Sequence, residues 1–301
     1  MDKLFVIFNP AARGEKTQRV RKFLEAKAGH SVILAPTQQA GDARLLAAEA
    51  VKEGFRIIVA AGGDGTINEV VNGIGTSGAT LGVLPLGTVN VFAHELCIPR
   101  RIEAAWQVIK TGELRTIDLA CAEAGAATRY FVQLAGVGFD AQAVRDASWE
   151  LKKKIGPLSY VWAGIKTLGT TLPQVEVSLN GSGPRAAGTA VLVGNGRFYG
   201  GPFALFPKAR MDDGLLDVCV FENCGYLDVL RYGQGILRGA HIDLGDVEYF
   251  QAERLVCNAP PATPFELDGE DAGDAPVTFS IVPRALRVVV PKSDGGKHHA
   301  G

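Results

Sequence analysis

Apolar residues in the first 115 positions follow two alternating patterns. "LFVIF", "SVILAP", "RIIVAAG" and "LGVLPLG" are short apolar runs rich in β-branched residues, which is typical of buried strands. Between them, "KTQRVRKFLEAKAG", "GDARLLAAEAVKEG", "TINEVVNGI" and "EAAWQVIKTGE" carry apolar residues at helical spacing. Strict alternation of strands and helices predicts a parallel sheet with helices on both faces. In such sheets, ligands bind at the carboxyl ends of the strands.

Local signals refine two of these helices. Asp42 stands where the second helix needs an N-cap, and Gly54 follows its last apolar residue, as a glycine often does after a helix end. The buried face of the first helix is expected to comprise Val20, Phe23, Leu24 and Ala28.

The pattern changes after "RTIDLACAE". Six β-like runs follow, punctuated by Gly, Pro and Asn: "YFVQLAGVGF", "QVEVSLN", "AAGTAVLVGN", "LLDVCVFE", "VTFSIVP" and "ALRVVVP". Helices are expected around Trp149–Leu168 and Leu227–Leu237. The runs in this half of the chain predict a mainly antiparallel domain, which we interpret as a β-sandwich.

The sequence therefore predicts two domains. We place an α/β nucleotide-binding domain at 1–117 and a β-sandwich substrate domain at 118–292, with a polar, glycine-rich tail at 293–301. The last strand, near 285–291, is a candidate to return to the first domain.

Composition narrows the class of protein. Lys and Arg (31) nearly balance Asp and Glu (32), so bulk charge does not indicate a nucleic-acid binder. Five scattered cysteines without C-x-x-C spacing fit neither a disulfide framework nor a zinc site. The N-terminus lacks a secretion-signal pattern, and no apolar run approaches the ~20 residues of a spanning helix. We expect a cytoplasmic protein.

Three glycines surround an aspartate in "AAGGDGTINEVVNG", where a predicted strand meets a predicted helix. A helix start offers unpaired N–H groups and a favourable dipole to an anion. Gly62, Gly63 and Gly65 can adopt positive φ and let the chain approach a ligand, and Thr66 can cap the helix. Asp64 would repel a phosphate unless Mg²⁺ lies between them, so the loop indicates a Mg-nucleotide site. The alternative is a glycine-rich turn tightened by the aspartate.

Two further polar turns follow predicted strands, "FNPAARGEK" and "LPLGTVNVFAHEL". In a parallel sheet they should face the same crevice as the glycine loop. Their candidate ligand residues are Asn9, Pro10, Arg13, Gly87, Thr88 and Asn90. Taken singly, Asn9-Pro10 is typical of a plain turn, and Thr88 and Asn90 fit caps as well as ligands.

The combination of "NPAARG", "GGDGTINEVVNG" and "PLGTVNVFA" resembles the diacylglycerol kinase catalytic family, which includes bacterial lipid kinases, sphingosine kinases and ceramide kinases. Later segments, "GNGRFYGGPFALFPKARMDDGLLDVCVF" and "FELDGED", resemble signatures of the same family. The resemblance covers nearly the whole chain in order. GGDGT alone is shared with NAD kinases and loosely with phosphofructokinases.

The resemblance implies an NAD-kinase-like α/β domain and a β-sandwich with the active site between them, ATP and Mg²⁺ as cofactors, and a lipid hydroxyl as acceptor. It assigns Asp64 and Asp118 to the Mg²⁺ network. Val91 stands where the family often has a further aspartate. The family's D-D-G turn can hold a structural Mg²⁺, which would fall to Asp213.

By the same resemblance, Asp268 of "FELDGED" is the general base, and Glu270 is a nearby nucleotide or metal contact. From the residues alone, Asp-Gly is also the commonest hairpin signal. The candidate nucleotide-binding set comprises Asn9, Pro10, Arg13, Thr37, Gly62, Gly63, Asp64, Gly65, Thr66, Glu69, Gly87, Thr88, Asn90 and Glu270.

The acceptor side is less defined. "SWELKKKIGPLSYVWAGIKTLGTTLP" combines basic and aromatic residues, which fits either a helix lying on an anionic membrane or a solvated surface helix. The leading hypothesis is a lipid kinase associated peripherally with the membrane. An NAD-kinase-type enzyme and a non-catalytic nucleotide- or lipid-binding relic are the alternatives. The lipid and the oligomeric state, a homodimer included, stay open.

Overall fold

The computed structural model describes residues 3–10, 15–146, 173–179 and 182–292. The chain divides into two compact units. Unit 1 comprises the residues up to Ile117 and those from Leu286 onward, and unit 2 comprises Asp118–Ala285. No helix in these described ranges is long and apolar enough to cross a membrane. The helix expected around Trp149–Leu168 lies outside the described residues.

Unit 1 is a parallel sheet with helices. Its strands are β1 (Leu4–Phe8), β2 (Val32–Pro36), β3 (Ile57–Gly62), β4 (Thr80–Pro85) and the end of β18 (Val277–Val290). Its helices are α1 (Glu15–Glu25), α2 (Asp42–Lys52), α3 (Asp64–Ile74), α4 (Val91–Glu95) and α5 (Ile102–Thr111). The strand order is β2-β1-β3-β4-β18, with every pair parallel. The predicted α/β class is confirmed.

Burial follows strand position in this sheet. The central strands β1, β3 and β4 are buried along nearly their whole length, whereas the edge strand β2 is partly exposed. Continuous apolar runs are expected where helices cover both faces of a parallel strand. The apolar runs therefore predicted the strands, whereas position in the sheet decided that β2 is partly exposed.

Two local predictions about the helices were wrong. Ala28 does not share the buried face of α1, because the helix ends at Glu25 and Ala28 is exposed. Asp42 is not the N-cap of α2, since Gly41 occupies that position. The Asp42 carboxylate instead accepts hydrogen bonds from the Gln38 and Gln39 amides of the preceding loop, and these bonds lower its pKa.

Unit 2 is mainly antiparallel β. Its strands are β5 (Glu113–Ala124, shared with unit 1), β6 (Ala127–Phe131), β7 (Leu134–Gly138), β8 (Val175–Leu179), β9 (Pro184–Gly188), β10 (Ala190–Gly194), β11 (Phe198–Tyr199), β12 (Phe203–Ala204), β13 (Leu216–Phe221), β14 (Val247–Ala252), β15 (Arg254–Asn258), β16 (Pro264–Leu267), β17 (Glu270–Asp274) and the first part of β18. The described helices are α6 (Phe139–Asp146), α7 (Tyr226–Arg238) and a 3₁₀ turn, His241–Asp243.

Two layers of strands form the predicted sandwich. One sheet has the order β14-β13-β10-β7-β16-β17, and the other layer joins β18, β15, β8 and β9, with β5 beside β18 and β6 beside β5. Fully buried side chains from both layers pack into one core, among them Val137, Val218, Val177 and Phe279. The second half of the predicted fold class is confirmed.

Four predicted runs have different bounds in the structure: two of them divide and two merge. The run 130–139 breaks at Val132–Gln133 into β6 and β7, and its last residue begins α6. The run 186–195 is likewise two strands, β9 and β10. The two final runs are one strand, β18, because Pro283 and Arg284 lie inside it without ending it. Apolar spacing alone cannot locate such breaks when both sides of the break are apolar.

Candidate active site

The predicted polar turns of unit 1 meet at the carboxyl edge of its sheet. Asn9 N donates to Ala61 O at 3.1 Å, and Leu86 N donates to Gly62 O at 2.8 Å, so the chain leaving β1, β3 and β4 stays in register past the strand ends. Asn9 Nδ2 also lies 3.3 Å from Thr66 Oγ1. The expectation that these turns face one another is confirmed.

Two glycines bring the turns into backbone contact. A Cβ added to Gly87 would lie 2.7 Å from Gly63 Cα, a distance that real Cβ atoms essentially never show. A Cβ on Gly62 would overlap the Thr66 side chain. The predicted positive φ is wrong, because Gly63 has φ −87°, Gly62 ends β3 and Gly65 lies in the first turn of α3. Gly62 and Gly87 are needed for close approach, because a Cβ on either would overlap its neighbour.

Asp64 is the first residue of α3, and its Oδ1 accepts a long hydrogen bond from Phe92 N at 3.5 Å. A carboxylate in the first turn is also stabilised by the helix dipole, so this position is favourable with or without a ligand. Thr66 does not cap the helix, since α3 begins two residues before it and Gly63 is the N-cap. Thr66 is instead buried beneath the turn.

Asn90 closes the second turn. It is almost fully buried, has φ 55°, and its side chain bonds both backbone groups of Gly87: Nδ2 donates to Gly87 O at 2.8 Å and Oδ1 accepts from Gly87 N at 3.2 Å. Thr88 is exposed, and its carbonyl accepts from Arg100 Nη2 at 2.6 Å. Asn90 thus shapes the turn that touches Gly63.

Glu69 has a structural role at the start of α2. Its two carboxylate oxygens accept from Gly41 N at 2.9 Å and Ala43 N at 3.0 Å, which satisfies amides that the helix leaves unpaired. Thr37 is buried and its amide bonds Phe8 O at 2.9 Å, while Pro10 is exposed. Arg13 lies outside the described residues. The ligand roles of these residues stay predictions.

In unit 2, Asp118 joins three segments of the chain. It is 1% exposed, and its oxygens accept from Gly214 N and Arg284 N, each at 2.7 Å. Asp213, in the adjacent D-D-G turn, accepts from Leu215 N at 3.1 Å. Burial raises the pKa of Asp213, and the neighbouring Asp118 charge raises it further. Among the described residues no three acidic, His or Cys side chains form a metal-binding group, so the metal assignments stay predictions.

Asp268 lies in a two-residue hairpin between β16 and β17. Leu267 pairs with Glu270, and Asp268 and Gly269 have φ 50° and 85°, as a type I′ turn requires. The hairpin interpretation of "LDGED" is therefore confirmed. A position in this turn is compatible with a catalytic role for Asp268, which stays a prediction. Glu270 is exposed, and its Oε2 lies 4.0 Å from Arg129 Nη2.

Three backbone amides hold the Asp268 carboxylate. Oδ2 accepts from Val132 N at 2.9 Å, and Oδ1 accepts from Gln133 N at 2.9 Å and Leu134 N at 3.1 Å. The Val132 and Gln133 amides belong to the break between β6 and β7 that sequence spacing did not predict, and Leu134 begins β7. Converging N–H groups stabilise negative charge and fix the orientation of the carboxylate.

Sequence reasoning missed Asn195. Its side chain is 1% exposed, and Nδ2 donates to Asp118 O at 3.2 Å and Val132 O at 3.1 Å. Asn195 thereby links the Asp118 segment to the chain that holds Asp268. The available signal was an asparagine between two glycines in "GNGRF", directly after an apolar run. Burial at such a strand end would require its amide to be hydrogen-bonded.

Comparisons with known proteins agree with this arrangement. A model described as the diacylglycerol kinase catalytic domain matches residues 3–122, and one described as a YegS C-terminal NAD kinase beta sandwich-like domain matches 133–290. A diacylglycerol kinase of Bacillus subtilis (strain 168) is 34% identical over 302 residues, covering 97% of each chain. The chain belongs to the diacylglycerol kinase family.

Other members of the diacylglycerol kinase family are similar over comparable lengths. The enzyme of Staphylococcus carnosus (strain TM300) is 31% identical, covering 95% of this chain and 94% of its own. A solved structure of a diacylglycerol kinase from Bacillus anthracis str. Sterne aligns with TM-score 0.77 at 24% identity, covering 96% of this chain and 97% of that one. At that identity the structural likeness supports the fold alone.

Proposed function

We propose that this member of the diacylglycerol kinase family is an ATP- and Mg²⁺-dependent lipid kinase that transfers the γ-phosphoryl group of ATP to a lipid hydroxyl. Family membership supports a kinase, and the relatives named diacylglycerol kinase suggest the acceptor class. The observation that carries the proposal is the contact of two glycine turns, Gly63 against Gly87, at the amino end of α3.

ATP binds at this crevice through the backbone. The absence of side chains at Gly63 and Gly87 leaves peptide groups accessible at close range, and α3 directs its unpaired N–H groups towards the same edge. Asn90 holds the second turn in place. A phosphate chain fits this donor arrangement better than an apolar ligand does.

The acids of the chain fit Mg²⁺, which prefers hard oxygen ligands and commonly uses one or two carboxylates together with phosphates and water. Asp64 offers its carboxylate at the glycine turn, and Asp118 keeps one lone pair on each oxygen after binding two amides. When bound, Mg²⁺ neutralises charge on the phosphoryl oxygens.

Asp268 accepts the proton of the lipid hydroxyl. Three amides fix the orientation of this carboxylate, and general-base catalysis requires such a fixed position relative to the hydroxyl. The hydroxyl oxygen then attacks the γ-phosphorus as the bond to the β-γ bridging oxygen breaks, and ADP leaves. Phosphoryl transfer of this kind depends on positioning more than on covalent catalysis.

Labelled ATP offered with a panel of lipids in mixed micelles tests the proposal. The panel comprises diacylglycerol, a sphingoid base, phosphatidylglycerol and a polyprenol-like alcohol, with NAD as a separate acceptor. Label in a lipid, lost in Asp268→Asn, supports the proposal. Label in NAD would favour the NAD-kinase alternative, and ATP binding with no labelled acceptor would favour a non-catalytic relic.

Peripheral membrane association is part of the proposal, because a lipid acceptor resides in a bilayer. The basic and aromatic segment around Trp149–Leu168 lies outside the described residues, but α7 provides independent support. Four large side chains on this helix are 58–81% exposed: Tyr226, Leu227, Leu230 and Leu237. Such a helix can insert its apolar side into a membrane interface.

Co-sedimentation with anionic lipid vesicles measures this association. Leu227→Ser with Leu230→Ser should reduce the bound fraction. Leu45→Ser is the matched control, because Leu45 is 63% exposed on a helix of unit 1. Equal binding by all variants would exclude α7 from membrane contact.

A further inference from the structure

Two buried carboxyl groups of unit 2 have no part in the proposed machinery so far. Glu266, in β16, is 0% exposed, and Asp140 is the second residue of α6. Both point over Gly136 in β7: a Cβ placed there would lie 2.7 Å from Asp140 Oδ2 and 3.1 Å from Glu266 Oε1. The missing side chain of Gly136 makes room for the two acids to meet.

A single shared proton explains this contact. Asp140 Oδ2 and Glu266 Oε1 are both buried, and neither accepts from an N–H or O–H donor in the part of the chain that the structure describes. Two ionised carboxylates in contact repel each other, whereas a protonated carboxyl donates to an ionised one and satisfies both oxygens.

The surroundings indicate which acid holds the proton. Burial raises the pKa of both groups, and the Asp140 charge raises that of Glu266 further. The Tyr199 hydroxyl donates to Asp140 Oδ1, which stabilises the ionised form of Asp140. Glu266 is therefore the protonated partner and Asp140 the anion.

The pair is connected to the catalytic hairpin. Glu266 Oε2 accepts from Gly269 N at 2.6 Å, and Gly269 follows Asp268 in the two-residue turn. Hydrogen bonds thus run from Tyr199 through Asp140 and Glu266 to the backbone beside Asp268.

We propose that Asp140 and Glu266 are positioning residues that share one proton and thereby hold the Asp268–Gly269 turn in the geometry for phosphoryl transfer. The catalytic part of this inference rests on the proposed kinase function, whereas the shared proton does not.

Other charged groups lie on the elements that pack against Asp140 and Glu266. Asp268 faces Glu266 from the turn, and its charge raises the pKa of Glu266. Arg145, on α6, is paired with Asp271 and Asp274 of β17 rather than with the acids. The remaining charged residues of α6 and β17 are Asp146 and Glu270. Strands β7 and β10 carry no titratable side chain.

Raising the pH removes the shared proton. The two anions then repel each other, Glu266 releases Gly269, and Asp268 loses its fixed position. Turnover should fall on the alkaline side as the pair deprotonates. Glu266→Ala should lower turnover on the order of tenfold or more at neutral pH, because the turn is unsupported. Glu266→Gln, which mimics the protonated acid, should recover most of that loss and move the alkaline decline to higher pH.

The stability readout needs no activity. A glutamate whose pKa is raised in the folded protein loses stability as the pH rises above its ordinary value of about 4.5 and through the folded value. The melting temperature of the wild type should therefore fall relative to that of Glu266→Gln over this range. Glu222→Gln, at an exposed glutamate of the same unit, is the control and should follow the wild type.

Infrared difference spectra give a third readout. The wild type at neutral pH should show a protonated-carboxyl band that is absent in Glu266→Gln and retained in Glu222→Gln. If Glu266→Gln fails to fold, Gly136→Ala serves instead, since its methyl group would separate the acids and should shift the band.

The outcomes separate the two hypotheses. A missing band together with parallel stability curves would overturn the shared proton, whatever the activity. A band present with an unchanged pH profile of turnover would overturn the positioning role alone. A band and divergent stability curves in a protein without lipid kinase activity would leave the pair established and would refute the proposed function.

Discussion

Asp64 and Asp268 both stand beside glycines at the end of a strand, but the chain engages the two carboxylates differently. Asp64 begins a helix and accepts a long hydrogen bond of 3.5 Å from Phe92 N. Asp268 lies in a hairpin and accepts three bonds of 2.9–3.1 Å from consecutive amides. Three converging amides fix the orientation of the Asp268 carboxylate, whereas Asp64 stands at the start of a helix, where the dipole favours negative charge.

The glycines of the two turns differ as well. Gly63 has φ −87°, which any residue can adopt, and a Cβ there would lie at an ordinary 3.5 Å from Gly87 Cα, whereas a Cβ on Gly87 would lie only 2.7 Å from Gly63 Cα. Gly269 has φ 85°, which favours glycine for conformational reasons. Glycine thus permits close approach at Gly87 in one unit and an unusual backbone conformation at Gly269 in the other.

Removing Asp64 should have the largest effect. Asp64→Ala is expected to reduce lipid phosphorylation on the order of 10³-fold, since a metal contact contributes several kcal/mol. Added Mg²⁺ should restore only part of the rate in labelled-ATP assays. Glu103→Ala, which also removes an acid from the first turn of a helix, should retain activity. Full activity of Asp64→Ala would contradict the metal assignment.

Changing the tightly held acid should separate binding from turnover. Asp268→Asn is expected to leave the Kd for ATP nearly unchanged and to lower kcat by ~10²-fold or more. Its amide cannot accept all three N–H bonds, so the melting temperature should fall too.

Val220→Ala is the stability control for Asp268→Asn, since it removes buried volume from β13 in the same unit. Its kcat should stay near that of the wild type although its melting temperature falls. Equal losses of kcat in both variants would reduce Asp268 to a structural residue.

Separating the glycine turns should weaken nucleotide binding. Gly87→Ala forces a methyl group against Gly63 Cα, and overpacking of this kind costs about 1–3 kcal/mol. The Kd for ATP, measured by titration calorimetry, should rise about tenfold or more. Unchanged ATP affinity would show that the crevice is not the nucleotide site.

The smallest expected effect concerns a glycine with no such constraint. Gly233 lies inside α7, and a Cβ there would meet nothing within 4 Å. Gly233→Ala should stabilise the helix by about 0.5–1 kcal/mol without changing the Kd for ATP. Comparing its denaturant midpoint with that of Gly87→Ala distinguishes glycines kept for contact from replaceable ones.

The sequence predicted elements better than side-chain partners. The strands of unit 1 lie where apolar runs placed them, because buried parallel strands must be apolar throughout. The break at Val132–Gln133 was not predictable, since apolar residues flank it on both sides. That break supplies two of the amides that hold Asp268.

Partners distant in sequence account for the contacts that the sequence did not predict. The Glu69 oxygens bond the amides of Ala43 and Gly41 at the start of α2, 26 and 28 residues away, while the ligand role of Glu69 stays a prediction. Asp140 and Glu266 were overlooked because neither stands in a motif with the other. Only their convergence over Gly136 relates them.

By itself the sequence determined the alternation of elements, the two-part organisation and the turns that carry acids and glycines, because these depend on local periodicity and local backbone preference. Tertiary structure alone decided most of the atoms that each acid meets, since those contacts join segments distant in sequence, such as the 136 residues between Asp268 and Val132. The chemistry of a carboxylate depends on those neighbours, and only folding brings them together.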